Sequence, residues 1–332
     1  MQQEHPFAQF IRILARGKTK TRDLTQDEAK QAMAMILADQ VTPEQLGAFL
    51  MLQRLKEESA EEIAGFVQAA QESFILPENH PQVDLDWSSY AGKKKQLPWF
   101  LLAALLLVKS GVRIFMHGTE GHTEGRIYTR DVLKQIGFPV TNTLDQASAS
   151  LEKSGFAYLP LEYLSPVFNR LIDLKHILGL RSPIHTVARM VNPFKAAVVL
   201  QGIFHPTFMP KHQMAAKLLN QPHLAVFRGE GGEIECRPNK AFKVMTCHNG
   251  QLESESWPQL SPQSHQEIDA ILDISRLEAI WSGEVTDHYA TAAIKGTLAV
   301  ALKSLAKAST VEDALAMAEQ MWQARDVNNF GI

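Results

Sequence analysis

Three consecutive ammonium groups, Lys93, Lys94 and Lys95, follow Tyr90, Ala91 and Gly92 in a turn that runs on to Leu97 and Pro98. The turn lies between a stretch expected to be a strand, residues 83–87, and an apolar run, residues 99–108. A turn leading from strand into helix offers unbonded backbone N–H groups and the positive end of the helix dipole, so anions bind there. A loop that cradles a single phosphate is usually rich in glycine, which lets the backbone wrap the anion closely. One glycine and three bulky cations suit instead a surface that attracts many phosphates; a solvated lysine loop is the plain alternative. A second concentration of charge comes from Arg12, Arg16, Lys18, Lys20 and Arg22, with no acidic residue among them. Cations so placed displace condensed counterions from a phosphate backbone and position it without reading sequence. A solvated helix face is the competing reading.

The other residues with chemical potential are more scattered. Arg181 can hold a carboxylate or a phosphate in a bidentate grip, or can serve as an ion pair between helices. Arg189 lies close by in sequence and extends the basic character. His117, His122, His185 and His205 show no pair at a metal-binding helical spacing, so no metal site is expected. Glu233 and Glu235 share a face if their run is a strand, where they could hold magnesium through waters or form an exposed acidic edge. Cys236 and Cys247 are too few for a disulfide framework and read as thiols in a reducing compartment.

Composition sets the outer limits. The 332 residues allow two domains, and 45% hydrophobic with 21% charged residues is ordinary for a soluble globular chain. The formal net charge is −3, so nucleic-acid binding would have to come from local patches. The N-terminus lacks the apolar core of a signal peptide and the longest apolar run, residues 101–108, is too short to span a bilayer. The expectation is a cytoplasmic protein without a membrane role.

The elements that must position these groups are legible in outline. Phe7, Phe10, Ile11 and Leu14 form a helical stripe, and capping boxes at Thr25/Glu28, Thr42/Gln45 and Ser59/Glu62 announce three more helices. Residues 1–76 are therefore a helical domain, closed by the linker Pro77 to Pro81. Short β-like runs then alternate with helices: 83–87, 112–116, 156–159, 196–201 and 223–228. This predicts an α/β domain with a mostly parallel sheet flanked by helices. It covers residues 82–160 and 193–332, and the strandless stretch 161–192 is expected to return to the helical domain. Residues 234–236 and 242–248 read as further strands, 251–264 as a polar loop, and two long helices close the chain.

Leu178-Gly179-Leu180-Arg181-Ser182 with Val191-Asn192-Pro193, and Gly202-Ile203-Phe204-His205-Pro206, resemble two motifs of the anthranilate phosphoribosyltransferases, Leu-Gly-x-Arg-Thr … Pro-x-x-Asn-Pro and Gly-Val-x-His-Pro. The resemblance covers nearly the whole chain and implies the fold of the class II nucleoside phosphorylases and phosphoribosyltransferases, within glycosyltransferase family 3. Three departures touch the substrate-holding parts. Tyr90-Ala91-Gly92-Lys93-Lys94 replaces a Gly-Thr-Gly-Gly-Asp loop that holds the pyrophosphate of phosphoribosyl pyrophosphate. Phe115-Met116-His117-Gly118-Thr119 replaces Lys-His-Gly-Asn-Arg, and Glu230 to Glu235 replaces a magnesium-binding Asp-Glu pair. With these departures the chain is most similar to the TrpD-like group typified by YbiB, regarded as nucleic-acid binding.

The resemblance therefore implies a homodimer, formed through the helical domain, that binds DNA or RNA without sequence preference and without catalytic residues or cofactor. Its contacts would come from Arg12, Arg16, Lys18, Lys20, Arg22, Lys93, Lys94 and Lys95. A remnant pocket for an anion or small ligand would involve Gly92, His117, Gly118, Arg181 and Arg189. The alternative is a magnesium-dependent phosphoribosyltransferase acting on an aromatic amine or base, with Arg181 on the acceptor and Glu233 or Glu235 on the metal.

Overall fold

The computed structural model describes residues 3–17, 19–121, 123–262, 268, 269 and 271–332. Its first part is helical: α1 (Ala8–Ala15), α2 (Gln26–Leu37), α3 (Pro43–Lys56) and α4 (Ala60–Glu72). All three capping boxes form, each with the Thr or Ser oxygen on the N3 amide and the N3 side chain returned to the cap N–H. Glu62 does more than cap. Wholly buried, its carboxylate accepts from the amides of Leu24 and Ser59 and from Gln53 Nε2, each at 2.9 Å, which ties three helix ends together. Phe7, Phe10, Phe49 and Phe66 pack edge to face through the same core.

The body alternates strand and helix: β1 (Leu85–Ser89), α5 (Phe100–Lys109), β2 (Ile114–Gly118), α6 (Thr129–Gln135), α7 (Leu144–Ser154) and β3 (Phe156–Pro160). Four helical segments follow without a strand: α8 (Leu161–Leu164), α9 (Pro166–Asp173), α10 (Lys175–Leu178) and α11 (Ile184–Val187). Phe168, Leu171, Ile184 and Val187 from this stretch join the apolar core of α1–α4. The chain then returns to the sheet with β4 (Val198–Ile203), α12 (Met209–Leu218), β5 (His223–Arg228), β6 (Phe242–His248) and β7 (Gln251–Trp257). It ends in α13 (Ser275–Ser282), α14 (His288–Ser304) and α15 (Val311–Gln323).

The sheet order is β3-β2-β1-β4-β5-β6-β7, parallel through β5 and antiparallel for the last two strands. Helices cover both faces, so the β1 to β4 strands are buried along their whole length. Leu85 and Trp87 point to the α5 and α14 side, whereas Phe115 and Leu159 point to the helical part. Strand order reverses between β1 and β4, and the loops leaving their carboxyl ends part there. Open α/β sheets bind ligands in that crevice.

Two expectations for this region need correction. Residues 234–236 form no strand; they belong to a buried segment that follows a tight turn at Glu230–Gly232. The stretch expected as a polar loop contains the edge strand β7, whose Glu253 and Glu255 lie on an open sheet edge. Charge at that position discourages further strand pairing, which explains why the sequence does not look like a strand. Among the described residues no helix is long and apolar enough to cross a membrane.

Candidate functional site

The loop after β1 is held shut by groups from distant parts of the chain. Tyr90 is buried, and its hydroxyl meets His117 Nδ1 at 2.7 Å while His117 Nε2 meets Asp86 Oδ1 at 3.2 Å. All three lie out of water between sheet and helices. Burial raises the pKa of both Asp86 and Tyr90, so the set favours the uncharged hydroxyl and a carboxyl that gives up its proton reluctantly. Gly118 sits directly against the β1 backbone, where a Cβ would fall 1.9 Å from the Ser89 carbonyl oxygen.

Next in the loop, Ala91 and Gly92 both aim their amides at one carboxylate. Glu233 Oε1 accepts from each N–H at 2.6 Å, and Glu233 Oε2 accepts from Ser89 Oγ at 2.9 Å. Gly92, at φ +68°, provides the left-handed turn that brings the two amides together. The backbone of Glu233 presses on β4 and β5 so closely that a Cβ at Gly202 or Gly229 would fall 2.1 Å or 1.6 Å from its carbonyl oxygen. Glycine at these two positions is thus what lets the carboxylate reach the loop. The same N–H pair and hydroxyl could hold one oxygen-rich anion, and the protein fills the place with its own.

Lys93, expected among the exposed cations, is instead buried at 2% exposure, and its ammonium pairs with Glu235. Its backbone bonds reciprocally to Ile127 at 2.8 Å, which turns the side chain inward. Glu235 also accepts from the Phe100 amide at 2.9 Å, capping the start of α5. Burial pushes the Glu235 carboxyl up to about 7 despite the pull of Lys93. Arg126 completes the closure: Nη1 donates to the carbonyls of Ala91 and Gly92, each at 2.9 Å.

Beside this loop, at the sheet's reversal point, opens a cavity of about 310 Å³. Arg54 from α3, Arg126, Arg181 and Arg189 line it, with Ser182 and Phe204. Thr123 Oγ1 accepts from Arg181 Nη2 at 2.9 Å. Burial lowers the pKa of Arg181 and Arg189, and the neighbouring guanidinium groups add to the effect. His185 and His212, also in the wall, are driven down to about 3 by burial and nearby arginines, so they are neutral. Glu58 is the carboxylate lining the cavity, and burial raises its pKa.

Arg181 and Arg189 are therefore brought together as expected. Gly92 does not line the cavity but lies behind Arg126 and Gly231, which do, and the buried His117 and Gly118 are not among the lining residues. Arg54 and Arg126 escaped sequence reading: one sits on a helix seen only as packing, the other follows a glycine-rich loop without periodicity. Of the remaining cations, Lys94, Lys95, Arg16 and Lys20 are exposed and carry no ion pair among the described residues. Arg12 pairs with Glu4, and Arg22 meets Glu28 through two bonds of 2.7 Å. Lys18 and His122 lie outside the described residues.

Magnesium does not fit the acidic segment as it stands. Glu233 is committed to the loop amides, Glu235 to Lys93 and Glu230 to Arg237 at 3.4 Å. Among the described residues no three His, Cys, Asp or Glu groups gather into a potential metal site.

Two family models match the chain: the helical bundle domain of a glycosyl transferase family over residues 8–74, and its a/b domain over residues 100–324. An uncharacterized Escherichia coli protein, YbiB, is 27% identical over 72% of this chain and 75% of its own. The anthranilate phosphoribosyltransferase of Geobacillus kaustophilus is 24% identical over 94% of this chain and 92% of its own. Among solved structures, the Thermus thermophilus anthranilate phosphoribosyltransferase matches with a TM-score of 0.78 at 19% identity, over 94% of both chains. The Saccharomyces cerevisiae enzyme, in complex with PRPP and Mg, matches with a TM-score of 0.75 at 15% identity, covering 97% of this chain and 94% of that one. At these identities the structural likeness establishes the shared fold.

Proposed function

Because this chain belongs to the glycosyl transferase family built from a helical bundle and an a/b domain, we propose that it uses a phosphoribosyltransferase scaffold to bind nucleic acid, without sequence preference and without phosphoribosyl transfer. The observation that carries this is the Glu233 carboxylate on the Ala91 and Gly92 amides. By the motif resemblance, that turn corresponds to the loop that holds the donor pyrophosphate in the anthranilate phosphoribosyltransferases. A carboxylate bound there competes with any diphosphate by charge and by volume, and the commitment of Glu235 to Lys93 removes a metal ligand as well.

Phosphate contacts then fall to the exposed cations. Lys94 and Lys95 flank the closed loop, and Arg16 and Lys20 lie with Arg12 and Arg22 around a depression beside α1. The apolar side chains of Leu55 and Ile177, 85% and 80% exposed on the helical part, support a homodimer in which they are covered. Two copies would multiply weak contacts through a raised effective concentration.

Binding of a labelled random single strand, followed by anisotropy across a salt series, tests this reading. Affinity should fall steeply with salt, and taking one cation away from the phosphate backbone should flatten the log–log slope by about 0.7. Replacing Lys94 and Lys95 by Glu should weaken binding and reduce the slope together. Salt-independent binding, or none at micromolar protein, would sink the proposal.

A second reading, phosphoribosyl transfer to an aromatic amine or base, is supported by the end-to-end similarity to the Geobacillus kaustophilus enzyme and by Arg181 in the cavity wall. Loss of anthranilate fluorescence with phosphoribosyl pyrophosphate and magnesium separates the two. Turnover that Arg181→Ala abolishes would put this reading first.

A further inference from the structure

We propose that the arginine-lined cavity receives a terminal phosphomonoester, the phosphate-bearing end of a nucleic-acid strand, with the last base resting on Phe204. For its source the inference rests on the nucleic-acid reading above; for its chemistry it rests on the cavity.

Four guanidinium groups converge on one space, and among the described residues Arg54 and Arg189 have neither an ion pair nor a side-chain hydrogen bond. Glu58 attracts Arg54 and Glu233 attracts Arg189, yet four like charges around one space remain unfavourable until an anion joins them. Two polar atoms in the same wall, Arg126 Nε and Ser182 Oγ, are buried and have no partner, although buried polar groups ordinarily have one. Glu58 opposes an anion least when protonated, the form its burial favours.

The ligand class follows from charge and size. A phosphomonoester carries about −1.5 to −2 at neutral pH and three acceptor oxygens, so it matches several forked donors better than a singly charged diester does. The cavity, at about 310 Å³, has room for the phosphate and sugar of one nucleotide rather than a run of strand. At its mouth Phe204 is half exposed, its ring braced edge-on by His205 with centroids 4.8 Å apart. An exposed aromatic beside cations is a stacking platform that tolerates any base.

Short oligothymidylates bearing a phosphate at the 5′ end, at the 3′ end or at neither are to be compared by anisotropy at fixed salt, with adenosine monophosphate and adenosine as competitors. One phosphorylated end should bind at least about tenfold more tightly than the hydroxyl-ended strand. That ratio should fall toward one in Arg189→Gln and in Arg54→Gln, the latter being exposed and safe for folding. Phe204→Ala should weaken binding while preserving the ratio. Equal affinity for all three strands overturns the inference but leaves general strand binding intact. If no strand binds, calorimetry with adenosine monophosphate decides. Binding that Arg189→Gln removes sustains the phosphomonoester site and discards the nucleic-acid reading, whereas no binding discards both.

Discussion

Replacing Glu233 by Ala empties the pair of amides after β1 and exposes what the carboxylate contributes. The side chain accepts two backbone N–H bonds of 2.6 Å and one Ser89 hydroxyl bond of 2.9 Å. Hydrogen bonds to a charged group contribute about 1.5–3 kcal/mol each. Keeping an ionised carboxylate out of water costs several kcal/mol in return. Water entering the vacated space would satisfy part of what is lost, so the net destabilisation should be about 2–4 kcal/mol. With an unfolding entropy of roughly 2.1 cal/mol/K per residue over 332 residues, this lowers Tm by about 3–6 °C. The vacated donors should then accept a small anion from solution. Acetate or phosphate at a hundred times its dissociation constant would restore about 2.7 kcal/mol. Differential scanning fluorimetry in acetate, phosphate and ionic-strength-matched chloride reads both effects. A variant that melts with the wild type, or that gains no more from acetate and phosphate than the wild type does, would refute an anion site occupied by Glu233.

Three further outcomes follow from the same structure. Glu235 titrates at about 7 in the folded chain against an ordinary carboxyl value of 4.5. Its protonated form therefore favours folding, a share fully present below about 4.5 and lost as pH rises toward 7. The unfolding free energy across this window, read from denaturant titrations, should fall by an amount on the order of a few kcal/mol, and Glu235→Gln should flatten the dependence. Gly202→Ala drives a Cβ into the Glu233 backbone and should cost about 1–3 kcal/mol. It should also speed amide exchange at Ala91 and Gly92. Glu62→Ala leaves buried donors on Leu24, Ser59 and Gln53 and should destabilise by about 3 kcal/mol or more in urea titrations.

What the sequence discloses follows the range of the interactions involved. Capping boxes act over three residues, and each one forms at the expected place. Strands show as short local apolar or alternating runs, and the parallel β5 and the antiparallel β6 both keep their anticipated bounds. β7 escapes because an edge strand needs only one apolar face and here carries charge. The α7 helix escapes because only Ala147, Ser148 and Leu151 face inward. In the candidate site, Arg181 and Arg189 are marked by neighbouring motifs, whereas the fate of Lys93 depends on Glu235. Three lysines in a row look alike in sequence. Only the partner supplied by the fold separates the buried one from the two that remain in water.

The loop after β1 and the carboxylates that close it lie more than 140 residues apart. A ribosome has therefore released Lys93 long before Glu235 exists, and until β4 and β5 align, that ammonium must stay hydrated and the loop open. Pairings of such sequence separation are formed late and slowly. The nascent protein consequently passes through a stage that still exposes the anion-binding amides its mature form hides. Closing the loop therefore waits on the segment that follows β5, whose Glu233 and Glu235 supply both carboxylates.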